Sequence, residues 1–223
     1  MRLPNRELDE LRRLMAEMGR LAETAIHDSV RSLLHQDRAL AEAVIREEPR
    51  INELEMRTDS VATRLLALYQ PVAKDLRFLT VALRVTTDLE RVGDLSVNIA
   101  RRVLSLLEQT QVKVPTDVSR LAVLVESMLT SSLQAVMNSE ETQALDVLVG
   151  DHEADRLRDY IYIELIDDMQ RIPEAIPQAV DLIFVTRDLE RMGDHATNIA
   201  EDAVYLVRAI DVRHHEGTKS YNP

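Results

Sequence analysis

Glu90, Asp94 and Asn98 are spaced i, i+4, i+8, and a hundred residues later Glu190, Asp194 and Asn198 repeat the spacing. On a helix advancing 100° per residue each trio falls within roughly 80° of arc, so two carboxylates and an amide carbonyl share one face. Hard oxygen donors grouped in this way suit Mg, Mn, Ca or Fe. The competing reading is the solvated face of an amphipathic helix, because Val85, Leu89, Val92, Ile99, Val103 and Leu106 form an apolar stripe on the other side. Three features weigh against it. A Glu and an Asp four residues apart repel by ~0.2–0.5 kcal/mol on an exposed helix, and both copies keep the repulsion. Gly93 and Gly193 each cost ~1 kcal/mol relative to Ala in mid-helix, which implies close backbone approach by a neighbouring helix that would cover the acidic face. Asn98 and Asn198 are poor helix formers, so their side chains are wanted for something else.

The preceding helix supplies a second set. Glu48, Asn52, Glu55 and Asp59 are spaced 4, 3 and 4, and Asp151, Asp155 and Asp159 make the corresponding stripe in the second half. Charged stripes of this kind are more often solvated than ligating. Arg91 and Arg191 are expected to pair with Asp88 and Asp188 three residues back. His195 occurs in one copy only and lies about 100° round the helix from Asp194, which favours a surface or interface role over ligation.

Positioning these groups requires long helices. Apolar residues recur at spacings of three and four throughout, with almost no strand-like alternation. Leu8, Leu11, Met15, Met18, Ala22, Ile26, Val30 and Leu33 mark a first helix; a second is expected over 38–69, capped by Asp37 and kinked at Pro49, and a third over 75–108. After the linker "QTQVKVPTD", with Thr116 or Asp117 as cap, helices follow near 117–138, 140–171 and 174–210. The fold expected is all-α: two tandem three-helix bundles, over 1–112 and 113–212, with a frayed tail over 213–223 whose His pair is read as solvated.

Composition narrows the function classes. Aromatics make up 3% of the chain, so the core must be aliphatic and helical rather than a β-sandwich. The absence of Cys removes disulfides, thiolate catalysis and Cys-based zinc sites. A net charge of -12 opposes the phosphate contacts on which nucleic-acid affinity depends and repels anionic membranes, so any membrane association is expected to run through a protein partner. No signal peptide or run of ~18 apolar residues is visible, and a cytoplasmic protein is expected.

"VTTDLERVGDLSVNIA" at 85–100 and "VTRDLERMGDHATNIA" at 185–200 share 11 of 16 residues without a gap, and upstream "RINELE" at 50–55 lies over "EADRLR" at 153–158 with a shift of three. An internal repeat is the economical explanation. Twin "DLERxGD" blocks ending in "NIA", with "LYQPVAKDLRFL" at 68–79 and "LAEAVIREEPRINELE" at 40–55, resemble the PhoU family of phosphate-uptake regulators over nearly the whole chain. The resemblance implies two three-helix bundles, frequent homodimerisation, and acidic patches that bind metal through an E(D)xxxD motif. That motif maps onto Glu90 and Asp94 and again onto Glu190 and Asp194. It implies a non-catalytic role between the ATPase subunit of a phosphate ABC transporter and a membrane sensor histidine kinase. The second half departs in its loop, "QRIPEAIP" against "YQPVAKDLR", so partner contacts made by that loop are expected to differ between the halves.

The expected ligands are therefore Glu90, Asp94, Asn98, Glu190, Asp194 and Asn198, supplemented by Glu48, Asn52, Asp59, Asp151 and Asp155, for Mg, Mn, Fe or Zn of unassigned identity and with no organic cofactor. Two alternatives stay open. One is a metal-free helical scaffold. The other is a carboxylate-bridged di-metal oxidase, disfavoured because such sites use Glu-x-x-His and the chain contains none. Ser96 and Thr197 lack a His and carboxylate at nucleophile spacing. No Gly-x-x-x-x-Gly-Lys cradle is present, so direct phosphate binding is not expected.

Overall fold

The structure, a computed structural model, describes residues 4–109 and 113–212. Of these 91% are helical and none is in a strand. Six long helices follow in order: α1 Asn5–His35, α2 Arg38–Tyr69, α3 Ala73–Leu106, α4 Thr116–Asn138, α5 Glu141–Arg171 and α6 Ile176–Arg208, with a 3₁₀ turn at Pro173–Ala175. The Asp37 carboxylate accepts from the Leu40 amide at 3.1 Å and starts α2, which continues through Pro49. Gln36 and Ser139, both left-handed, end α1 and α4 in the same way. Neither Thr116 nor Asp117 caps α4: Pro115 holds the cap position with no side-chain bond, since its ring carries no hydrogen-bond acceptor. The His pair of the tail and residues 110–112 of the linker lie outside the described residues.

Helices α1–α3 and α4–α6 form two three-helix units. Arg84 meets Asp202 at 2.9 Å and Arg102 meets Asp181 at 3.1 Å, so α3 and α6 run antiparallel across the junction. Glu23 accepts from Thr130 at 2.8 Å and His27 faces Glu126 at 3.4 Å, which makes α1 and α4 a second antiparallel pair. Helices α2 and α5 lie outermost and do not touch each other among the described residues. The stripe Val85, Leu89, Val92, Ile99 and Val103 is sealed in the core, where each large aliphatic side chain contributes roughly 1.5–3 kcal/mol. Burial of that stripe fixes the rotation of α3 and hence where its acidic face points. Helix α4 has the length and apolar composition of a membrane span, but it seats Val118, Leu121, Val125 and Leu129 in the bundle core.

Candidate metal centre

In the first repeat the acidic phrase faces α2. Glu90 is 16% exposed and Asp94 40%. Burial raises the Glu90 carboxyl above its ordinary range; Asp94 raises it further, Arg91 pulls it down, and Glu55 and Glu48 raise it again. Those four charges show which groups the fold gathers round Glu90. Asn52 donates its amide to Glu48 Oε1 at 2.6 Å. Asn52 Oδ1 and Glu90 Oε2 are buried acceptors without a hydrogen-bond donor; the nearest cation to the latter, Arg91 Nε at 3.4 Å, lies outside hydrogen-bond geometry. Unsatisfied oxygens among like charges are costly, and oxygens of this kind are the donors a hard cation takes. Among the described residues, however, the group whose ligand atoms lie within 4.8 Å of one another, Asp151, His152 and Asp155, belongs to the second repeat.

The second repeat solves the same problem differently. Arg158 on α5 binds Glu190, Asp155 at 2.7 Å and Asp159 at 3.0 Å. Burial works against the charged guanidinium, but the hydrogen bonds it donates to Asp159 and Glu190 outweigh it and raise the Arg158 pKa. Asp194, outside that embrace, is pushed up to about 6 by burial, then by Glu190 and Asp151, with His195 pulling it down. Asp151, His152 and Asp155 each place one ligand atom within 4.8 Å of the others, and Thr197 donates to Asp151 at 3.2 Å.

Several expected placements differ. Asp88 does not pair with Arg91. It reaches across the junction to His195 Nδ1 at 2.8 Å and accepts from the Asn198 amide at 3.4 Å, while Arg91 turns forward to Asp94 at 3.3 Å. Asp188 is 1% exposed and holds Arg187 at 3.3 Å; burial raises its pKa, and Arg187, Arg102 and Arg191 oppose the rise. His195 is therefore an interface residue between repeats. Asn98 lies beside Arg101, Arg102, Ser105 and Asp181 on the flank toward the second repeat, and Asp59 is exposed one turn beyond Glu55. Ser96 bonds the Val92 carbonyl of its own helix at 2.9 Å. The glycines are also unequal. A Cβ on Gly93 would stand 2.8 Å from Ile51 Cδ1, so a side chain of α2, not its backbone, makes the close approach. A Cβ on Gly193 would meet nothing nearer than 3.7 Å, so packing does not require that glycine. Arg158 and His152 were not singled out by spacing. The signal for Arg158 was its alignment over Glu55 in the repeat.

A model of the PhoU domain matches residues 15–103 and 118–203, one copy per repeat. The chain belongs to the PhoU family. A phosphate-specific transport system accessory protein PhoU homolog from Pseudomonas aeruginosa is 36% identical over 211 residues, spanning 94% of this chain and 87% of its own length. The homolog of the same description from Caulobacter vibrioides is 38% identical over 197 residues, 86% of each chain. The crystal structure of PhoU from Pseudomonas aeruginosa superimposes with a TM-score of 0.89 at 35% identity, covering 92% of this chain and 99% of that one. The phosphate transport system regulatory protein PhoU from Streptococcus pneumoniae gives 0.87 at 29% identity, covering 93% and 98%. The PhoU fold of two helical bundles is therefore shared, and the relatives are named as accessory or regulatory proteins rather than enzymes.

Proposed function

We propose that this PhoU-family chain is a cytoplasmic, homodimeric adaptor that restrains phosphate uptake, and that it binds metal at its acidic faces. Its partners are the ATPase subunit of a phosphate ABC transporter and a membrane sensor histidine kinase. The observation that carries the metal reading is the pair of buried, undonated oxygens, Asn52 Oδ1 and Glu90 Oε2, on facing helices among Glu48, Glu55 and Asp94. These residues would hold the ion in the first repeat. In the second, Asp151, His152 and Asp155 would do so with Asp194 beside them, in competition with Arg158, which holds both Glu190 and Asp155. A bound ion would supply positive charge that cancels the repulsion on the face and offers a tether for an anionic partner group. The chain's own residues do the rest: Arg91 closes the rim over Glu90 and Asp94, and the antiparallel α3–α6 pair holds the two faces in one frame. No residue is assigned a chemical step; the adaptor acts by binding one state of its partners more tightly than another.

The test compares metal content of protein purified without chelator, by elemental mass spectrometry, with that of a variant carrying Glu90→Ala, Asp94→Ala, Glu190→Ala and Asp194→Ala that stays helical by circular dichroism. Near-stoichiometric metal in the parent and none in the variant is expected, together with phosphate-dependent capture of the ATPase and kinase that chelator weakens. A parent that takes up no Mg, Mn, Fe or Zn would leave a metal-free scaffold.

A further inference from the structure

A groove opens between α1 and α2 over α3 in the first repeat, with a cavity of about 260 Å³. Its floor is Val44, Ile51, Gly93 and Val97, all buried, and Ala25 forms its α1 wall. Asp28, Glu47 and Glu48 stand at its rim with Arg50, which is tied to Glu47 at 3.2 Å.

The second repeat shows what such a groove accommodates. The caps Gln36 and Ser139 set a shift of 103 residues between α1 and α4, which places Met128 where the first repeat has Ala25. Met128 runs over the helix junction: its Cγ is 3.3 Å from the Cβ position of Gly150, and its Cε is 3.8 Å from that of Gly193, the counterpart of Gly93. One half of the molecule fills this place with a flexible thioether from its own helix. The other ends at a methyl group and leaves an apolar floor reachable from the surface.

We infer that the groove of the first repeat receives one apolar side chain, of Met or Leu size, from a helical segment of a partner protein in which Lys or Arg flanks that anchor. Met128 defines the size, since the chain itself uses a side chain of that class at the equivalent position. A cavity of about 260 Å³ falls below the ~300 Å³ at which pockets for drug-sized ligands begin, so a large organic cofactor does not fit. An apolar floor gives water few partners and rewards an apolar anchor by dispersion and burial. The three rim carboxylates outnumber the two guanidiniums paired with them, Arg50 on Glu47 and Arg31 at 3.9 Å from Asp28, and select a basic flank over an acidic one, in the manner of an amphipathic helix laid in a groove. Because Glu48 also belongs to the proposed metal face, the titration below is run in chelator, which keeps the fate of this inference separate from that of the metal reading.

The probe is a 14-residue helix-forming peptide with one central Leu between Lys residues, titrated calorimetrically and by methyl NMR into the full chain. A version with Leu→Ser and one with Lys→Glu serve as controls. Binding is expected to shift the Val44, Ile51 and Val97 methyls, to weaken at least roughly tenfold on Leu→Ser, and to weaken similarly in Ala25→Met, which fills the groove as Met128 does. The exposed Glu47→Lys variant should weaken the Lys peptide and strengthen the Glu peptide, and it keeps the test decisive if Ala25→Met folds poorly. Binding indifferent to Leu→Ser or to Ala25→Met would overturn the inference, because the peptide would then be held by charge alone or elsewhere. So would uptake of n-hexanol by the groove without uptake of any peptide, which would mark it as a small-ligand cavity.

Discussion

Where the first repeat carries Asn52 and Glu55 the second carries Asp155 and Arg158, and the second of these exchanges gives the two acidic faces opposite electrostatics beside their shared Glu. Around Glu90 the fold gathers Glu48, Glu55 and Asp94 and leaves buried oxygens undonated. Around Glu190 it lays an internal cation that also binds Asp155 and Asp159. A duplicated element has thus kept its carboxylates in both copies while relieving their repulsion by different means, an external ion in the proposal for one and a guanidinium in the other. Identity of motif does not imply identity of electrostatics, because the deciding residue sits on the neighbouring helix.

Exchanging the two residues gives the largest effect. Glu55→Arg should lower metal affinity of the first repeat by at least roughly tenfold, the scale on which supporting groups tune a metal site. Arg158→Glu should raise metal uptake by the second repeat and destabilise the metal-free protein. Removing the side-chain cation that holds Glu190 among the described residues leaves this carboxylate, itself 16% exposed, without a partner, which costs about 1–3 kcal/mol, or about 2–4 °C of Tm per kcal/mol at this chain length. Elemental analysis and calorimetry in chelator read both. Equal metal content in the two variants and the parent would mean that the faces are alike despite Arg158.

Much of this frame was legible beforehand. The α2 boundaries, the Asp37 cap and the stripe from Val85 to Val103 follow from local periodicity and capping, which act over one or two turns. The pairing of Asp88 was not legible, because an i, i+3 default ignores the second repeat: the antiparallel α3–α6 junction brings His195 to it from more than a hundred residues away. The same non-local packing explains why the two glycines looked alike in sequence and differ in space. The Arg158 substitution was visible in the repeat alignment, but its significance needed the observation that α5 turns it toward Glu190.

A pH experiment sharpens the comparison at smaller amplitude. Asp194 is pushed up to about 6, mainly by burial, so the folded protein binds its proton more tightly than the unfolded chain, whose Asp titrates near ~4. The stabilisation from this proton is fully present below the unfolded value and is lost as pH rises through about 6. In chelator, the Tm of the parent minus that of Asp194→Asn should therefore fall between pH 4 and pH 6. Glu90, raised by burial and by Asp94, should give the same sign against Glu90→Gln. Bound metal should reverse the trend, since it binds the ionised form. A parent-minus-variant difference that is flat in chelator, or that rises with pH, would contradict the raised carboxyls.

The smallest effect concerns the glycines. Alanine at either position recovers up to ~1 kcal/mol of helix propensity. At Gly193 the new methyl meets only ordinary contacts, the nearest being Val125 Cγ2 at 3.7 Å, so Gly193→Ala should raise Tm. At Gly93 it would stand 2.8 Å from Ile51 Cδ1, and Ile51 must turn away before the gain is realised. The direction available to it is the groove it already lines, so Gly93→Ala should be closer to neutral and should reduce the groove's volume. Equal stabilisation by both substitutions would show that Ile51 moves without cost, and that the tight contact on Gly93 does no more to hold α2 against α3 than the looser ones on Gly193 do for α4 and α6.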